Sequence, residues 1–235
     1  MNSSISIVIP VFNEEKNIKE VYRNLKKALS ISKIFNYEII FVDDGSLDNS
    51  LQIIKNLKKK EKGKIKIIKN IINKGLGYTI KKGFMNSSKK FVFFLPSDNE
   101  HKFDGIIPLL KYLPNYDIII PYAKNKHARP KHRRIISALY TFFVNLLFNH
   151  SLPYYNGLVV YRSNYAKNCL KKINNFSFSL LAELLLRVLR VTKNYKIVGY
   201  KINYIETPNS SALKLKNIFY SILFIIFLRI NFWIK

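Results

Sequence analysis

Four short runs rich in apolar and β-branched residues recur through the N-terminal part of this chain: ISIVI at 5–9, YEIIFV at 37–42, KIKIIK at 64–69 and FVFFL at 91–95. Helical spacing separates them. Ile18, Val21, Tyr22, Leu25 and Leu29 follow the first run, Leu51, Ile54 and Leu57 follow the second, and a turn at 73–77 (NKGLG) precedes a helix toward Phe84. Strands without regular polar alternation are buried on both faces, and strands alternating with helices predict an α/β domain built on a parallel sheet with helices on both sides. Pro10 has no N–H to donate and is expected to stop the first strand. Ligands of open α/β sheets bind beyond the carboxyl ends of the strands. Here those ends carry Pro10 to Glu14, Asp43 to Ser46, Asn73 to Gly77 and Ser97 to Glu100.

The character changes after residue 122. A basic stretch, AKNKHARPKHRR, runs into the fourteen apolar-rich residues IISALYTFFVNLLF. That segment is shorter than the roughly twenty residues a bilayer span needs, which leaves a buried helix or one lying at headgroup depth. GLVVYR at 157–162 and YKIVGYKINYIE at 195–206 read as strands, and Phe178, Leu181, Leu184, Leu185 and Val188 as a helix between them. The last segment, NIFYSILFIIFLRINFWIK, is the most hydrophobic, but Arg229 and Asn231 interrupt it. A packed or membrane-lying helix is expected there in preference to a full span. The expected organisation is one catalytic-sized domain over 1–213 and an apolar helix over 214–235.

Forty Lys and Arg against fourteen Asp and Glu give a formal charge of +26, which attracts anionic lipid, nucleic acid or phosphorylated substrates. No helix-turn-helix, zinc-ligand pattern or basic-aromatic stacking sequence accompanies that charge, so nucleic acid is not an expected partner. The single cysteine, Cys169, rules out an internal disulfide framework and fits a reducing compartment. The opening MNSSISIVIP has no basic segment ahead of a long apolar one, so no signal peptide is expected.

Chemistry concentrates at the strand ends. Asp43, Asp44, Gly45 and Ser46 follow the second run, where carboxylates either accept hydrogen bonds from a nucleoside or cap the next helix. Taken with VIPVFNEE after the first strand, the ligand reading gains weight. ISIVIPVFNEEKNI, EIIFVDDGSLDNS, NKGLGYTIKKGF and FVFFLPSDNEHKFDGIIPLL resemble the family 2 glycosyltransferases of the GT-A fold. RRIIS, YYNGLVVYR and FSFSLLAELLLRVLR resemble its polyprenyl-phosphate-sugar synthase branch. The resemblance implies a GT-A, Rossmann-like sheet with a C-terminal apolar helix. It implies that Pro10, Phe12, Glu14, Asp43 and Asp44 hold the nucleoside of a nucleotide sugar, with Lys74 in a turn that shapes the same pocket. The family's Asp-x-Asp metal motif, followed two positions on by Gln, stands here as Pro96-Ser97-Asp98-Asn99-Glu100. Asp98 and Glu100 remain as ligands for Mg²⁺ or Mn²⁺, since a hard cation on a diphosphate needs one or two protein carboxylates.

On the acceptor side, the resemblance implies that the arginines around an Arg-x-x-x-Ser element bind phosphate. Arg133 and Ser137 have that spacing, with Arg129 and Arg134 beside them, and guanidinium forks suit bidentate phosphate contacts. The bland alternative is a solvated basic loop near anionic headgroups. Tyr155, Asn156 and Gly157 match a family element near the sugar or acceptor. Glu183 is a candidate base if the acceptor is a hydroxyl, or a helix residue paired with an arginine if it is not. Asp98, Arg133 and Glu183 are thus the candidate catalytic residues of an inverting transfer to a polyprenyl phosphate at the cytoplasmic membrane face. Transfer to a saccharide hydroxyl, and a non-catalytic nucleotide-sugar-binding protein, are the alternatives.

Overall fold

The apolar runs assemble into a seven-stranded sheet. In the computed structural model, which describes residues 3–61, 63–174, 176–177, 179–203 and 215–233, the strands are β1 (Ser4–Val11), β2 (Asn36–Asp43), β3 (Ile65–Lys69), β4 (Phe91–Phe94), β5 (Ile118–Ala123), β6 (Val160–Arg162) and β7 (Tyr195–Tyr200). Their order across the sheet is β3-β2-β1-β4-β6-β5-β7. β1 to β4 are mutually parallel where they pair, and β5 is parallel to β7. β6 runs antiparallel to both β4 and β5, so the sheet is mixed beyond the four parallel strands read from the sequence.

The reversal follows from the helix that precedes β6. The helices are α1 (Ile18–Ile31), α2 (Ser50–Lys60), α3 (Leu76–Met85), α4 (Phe103–Leu110), α5 (Lys131–Phe148), α6 (Ser163–Lys171), α7 (Leu180–Val191) and α8 (Leu215–Trp233). α1 buries Ile18, Val21, Leu25, Ala28 and Leu29, the stripe its spacing predicts, whereas α5 buries only Thr141 and Val144. α5 therefore does not cover the sheet as a crossover helix would. It leaves the chain at the carboxyl end of the strands, and β6 has to enter from there. α1 packs against α2 and α4, and α3 against α6, which meets α7, so each sheet face has its own helical layer.

β5, α4 and α6 have no counterpart in the sequence reading. The strands expected at 157–162 and 195–206 are shorter, covering 160–162 and 195–200, with 204–206 outside the described residues, as is Phe178. Pro10 lies inside β1, paired with Val42, although it was expected to end the strand. Its nitrogen faces the side where the β4 pairing stops at Val8–Phe94, so no ladder hydrogen bond is lost, and Ser97 Oγ donates to Pro10 O there at 2.8 Å. No helix among the described residues is long and apolar enough to cross a membrane.

Candidate active site

The turns after β1 and β2 are built on each other. Asn13, in the left-handed region at φ 56°, accepts a hydrogen bond from Leu47 N at 2.8 Å and donates from its own N to Ser46 Oγ at 3.1 Å. Glu14 N donates to Ser50 Oγ at 2.8 Å, and Glu15 N to Asp48 Oδ2 at 3.0 Å. Gly45 has φ +76°, and a Cβ there would stand 2.9 Å from the Ile72 carbonyl carbon, so the turn requires glycine.

The two adjacent aspartates do different work. Asp44 accepts hydrogen bonds from Asn70 Nδ2 at 2.6 Å, Lys74 N at 2.9 Å and Gly75 N at 2.8 Å. Its carboxylate thus holds the 70–75 turn against β2. Asp43 is fully buried; its Oδ1 accepts from Ser46 N at 3.3 Å and its Oδ2 has no hydrogen-bond partner among the described residues. Glu14 is raised above the usual carboxylate range by burial, with Asp98 and Asp48 adding to the shift against a hydrogen bond from Asn17. Phe12 is partly exposed, and Lys74 is exposed at the rim.

Beyond β4, the segment from Pro96 to Glu100 turns back over the sheet end. Asn99 takes φ 62°, Glu100 N donates to Asp98 Oδ1 at 3.1 Å, and Glu100 O accepts from Asn203 N at 2.9 Å. A cavity of about 410 Å³ opens here. Asp98 and Glu100 stand in its wall together with Arg129, Arg133, Ser137 and Asn156. A smaller one of about 90 Å³ adjoins it and adds Lys126 and Arg134. Six predicted site residues drawn from three stretches of sequence therefore share one space, with Arg134 next door. Pro10, Phe12, Glu14, Asp43, Asp44 and Lys74 belong to the neighbouring strand-end turns.

Burial raises the Asp98 pKa, opposed in part by the Arg129 charge. Burial works against the charge on Arg129 too, but Tyr154, Tyr200 and Glu100 outweigh it and hold the guanidinium protonated. His101 is pushed down to about 4 by burial and by Arg129, so it is a neutral imidazole, stacked on Tyr200 with ring centroids 5.7 Å apart. Glu183 does not line either cavity among the described residues. It is 3% exposed on α7 and bonded to Arg187 Nη2 at 2.7 Å and Nε at 2.8 Å, the helix pairing that its sequence position left open.

His101, Tyr140, Tyr154 and Tyr200 also line the larger cavity and were not singled out as site residues. His101 directly follows the carboxylate motif, which is a usable signal in the sequence. Tyr154 opens the YYNGLVVYR stretch, whereas Tyr140 and Tyr200 carry no such mark. No group of three or more His, Cys, Asp or Glu among the described residues is arranged around a metal position, and the carboxylates lining the larger cavity are Asp98 and Glu100.

A doubly wound sheet carrying acidic and basic walls at the carboxyl ends of its strands is the architecture of a GT-A glycosyltransferase. The match to solved enzymes of that fold bears this out. The structure superposes on glucosyl-3-phosphoglycerate synthase of Mycobacterium tuberculosis, solved with Mn²⁺, UDP and glucosyl-3-phosphoglycerate, with a TM-score of 0.65 at 14% identity, covering 97% of this chain and 80% of that one. Residues 6–170 match the sequence profile described as glycosyl transferase family 2, and the chain belongs to that family. It is 34% identical over 155 residues to an uncharacterized protein of Methanocaldococcus jannaschii, spanning 63% of this chain and 62% of that one. It is 30% identical over 138 residues to the dolichol-phosphate mannosyltransferase of Pyrococcus furiosus, spanning 57% of this chain but 38% of the relative. The chain thus spans less than two thirds of the length of either relative.

Proposed function

We propose that this glycosyltransferase moves a sugar from a nucleotide donor to a polyprenyl phosphate at a membrane surface. The observation that carries the reading is that one cavity is lined by Asp98 and Glu100 and also by Arg129, Arg133 and Ser137. The carboxylates suit a cation on the donor diphosphate and the arginines suit an anionic acceptor. The names of the dolichol-phosphate relatives support the same acceptor class.

The residues present fit a divalent cation. Asp98 Oδ1 is engaged by Glu100 N, and Asp98 and Glu100 would hold Mg²⁺ or Mn²⁺ through their remaining hard carboxylate oxygens. When bound, the cation neutralises charge gathering on the departing nucleoside diphosphate. Asp43 Oδ2, buried and without a hydrogen-bond partner among the described residues, is the acceptor this reading assigns to the nucleoside. The arginines orient the acceptor phosphate so that one oxygen attacks the anomeric carbon opposite the leaving diphosphate, forming one C–O bond as the other breaks and inverting the centre. A phosphate is already ionised near neutral pH, so no general base is required, in keeping with the burial of Glu183 against Arg187. The test is transfer of radiolabelled sugar from a panel of nucleotide sugars into vesicles containing polyprenyl phosphate. Label confined to a non-lipid product would remove the lipid acceptor and keep the enzyme.

The membrane part of the reading is supported by α5 and α8, which pack together. Ile135, Leu139, Phe142 and Leu146 form an exposed stripe on α5, and Tyr220, Leu223, Phe227 and Ile230 form one on α8. Basic Lys131 to Arg134 open α5, as an anionic bilayer surface favours. Phe142→Asp and Phe227→Asp are each expected to cut partition onto anionic vesicles by about ten- to a hundredfold, from the roughly 1.5–3 kcal/mol of a buried aromatic. Sedimentation of the two variants beside the unmodified chain checks this. Equal partition of all three would dismiss these helices as the contact.

A further inference from the structure

The two cavities have Arg129, Arg133, Ser137, Tyr154 and Tyr200 in common. The larger carries both carboxylates; the lining of the smaller has Lys126 and Arg134 and no carboxylate. Arg129 stands in the wall between them, its guanidinium carbon 6.0 Å from the Tyr154 ring centroid. Its charge acts on Asp98, and that of Glu100 acts on it.

The backbone holds this relationship in place. Arg129 closes the short helical turn Lys126–Ala128, its N bonded to Lys126 O at 3.1 Å, and Pro130 follows. Asn125, just before that turn, donates to Ile202 O at 2.7 Å and accepts from Ile202 N at 3.0 Å. The next residue, Asn203, donates to Glu100 O. The basic turn and the carboxylate loop therefore hang from adjacent residues of one strand extension.

We propose that Arg129 is a counter-ion shared by the donor-side carboxylates and the acceptor phosphate, so that a divalent cation at Asp98 and Glu100 tightens phosphate binding next door. The inference rests on the acceptor reading above. Without the cation, two carboxylates compete with an incoming phosphate for the Arg129 charge. With it, they are neutralised and the guanidinium serves the phosphate. Linkage makes the effect reciprocal, so phosphate tightens the cation by the same factor.

Calorimetric titration of farnesyl phosphate into the full chain, with and without Mg²⁺, measures the coupling. Binding is expected to be roughly tenfold tighter with Mg²⁺, within the usual range of coupled sites. Arg129→Gln brings that ratio to about one while Mg²⁺ alone binds more tightly, as removing a neighbouring cation requires. Arg133→Gln weakens farnesyl phosphate in both arms and keeps the ratio. Glu100→Gln gives tighter farnesyl phosphate binding without Mg²⁺, and it carries the test should Arg129→Gln fail to fold. A ratio of one in the unmodified chain, or a full ratio in Arg129→Gln, overturns the shared counter-ion and leaves the lipid-phosphate acceptor standing. Failure of farnesyl phosphate to bind in either arm overturns both.

Discussion

Asp98→Asn lowers the rate of sugar transfer at least about a hundredfold while the thermal midpoint stays close to that of the unmodified chain. Asparagine keeps the carbonyl oxygen that accepts from Glu100 N, so the turn after β4 retains its shape. What it removes is the negative charge. Burial already makes that charge unfavourable, since it raises the Asp98 pKa, and a turn needing only a hydrogen-bond acceptor would not call for an ionised group there. With Pro96 in the first position of the motif, Asp98 and Glu100 are the carboxylates left at the cavity, and losing one halves the set. Initial rates at saturating nucleotide sugar across a Mn²⁺ series, read beside a thermal melt, make the measurement. An unchanged rate would take Asp98 out of the reacting centre, and a collapsed melt would assign it to the fold.

The second large effect is on stability. Asp44→Ala is expected to cost about 3–5 kcal/mol, because it strips the acceptor from Asn70 Nδ2, Lys74 N and Gly75 N at a position only 4% exposed. A buried donor left unsatisfied costs about 1–3 kcal/mol, which applies in full at Asn70, while water reaching the part-buried Lys74 N and Gly75 N recovers part of their share. Asp43→Asn, one residue away, is expected to spare stability and weaken nucleotide binding, since Asp43 accepts one long bond from Ser46 N and has an unpartnered oxygen. Urea unfolding separates the two, with the midpoint falling for Asp44→Ala at constant slope. Equal midpoints for Asp44→Ala and the unmodified chain would mean that the turn is held by something other than this carboxylate.

That division of labour also marks where sequence reasoning reaches its end. Two aspartates after a strand look alike on paper, because capping a turn and receiving a ligand call for the same residue in the same place. The difference is set by the turn at 70–75, which folds back onto one of them. β1 to β4 were legible because each is a concentrated apolar run bounded by polar turns. β5 was not, since its IIIPYA contains Pro121 and merges into the basic stretch. β6 is only three residues long, and its direction depends on where α5 delivers the chain. The carboxylates and arginines of the cavity carried a family pattern, whereas Tyr200 reaches it through folding over a long sequence separation that no local period records.

α5 has one side in the cavity, through Arg133, Ile136, Ser137 and Tyr140, and the opposite side open, through Ile135, Leu139, Phe142 and Leu146. A single helix, about 10–12 Å across with its side chains, is therefore all that separates the reacting groups from whatever lies against the outer stripe. A long hydrophobic substrate resting on that outer side would have to lift only its polar head past one helix thickness to be glycosylated, and its tail would never need to leave the apolar phase.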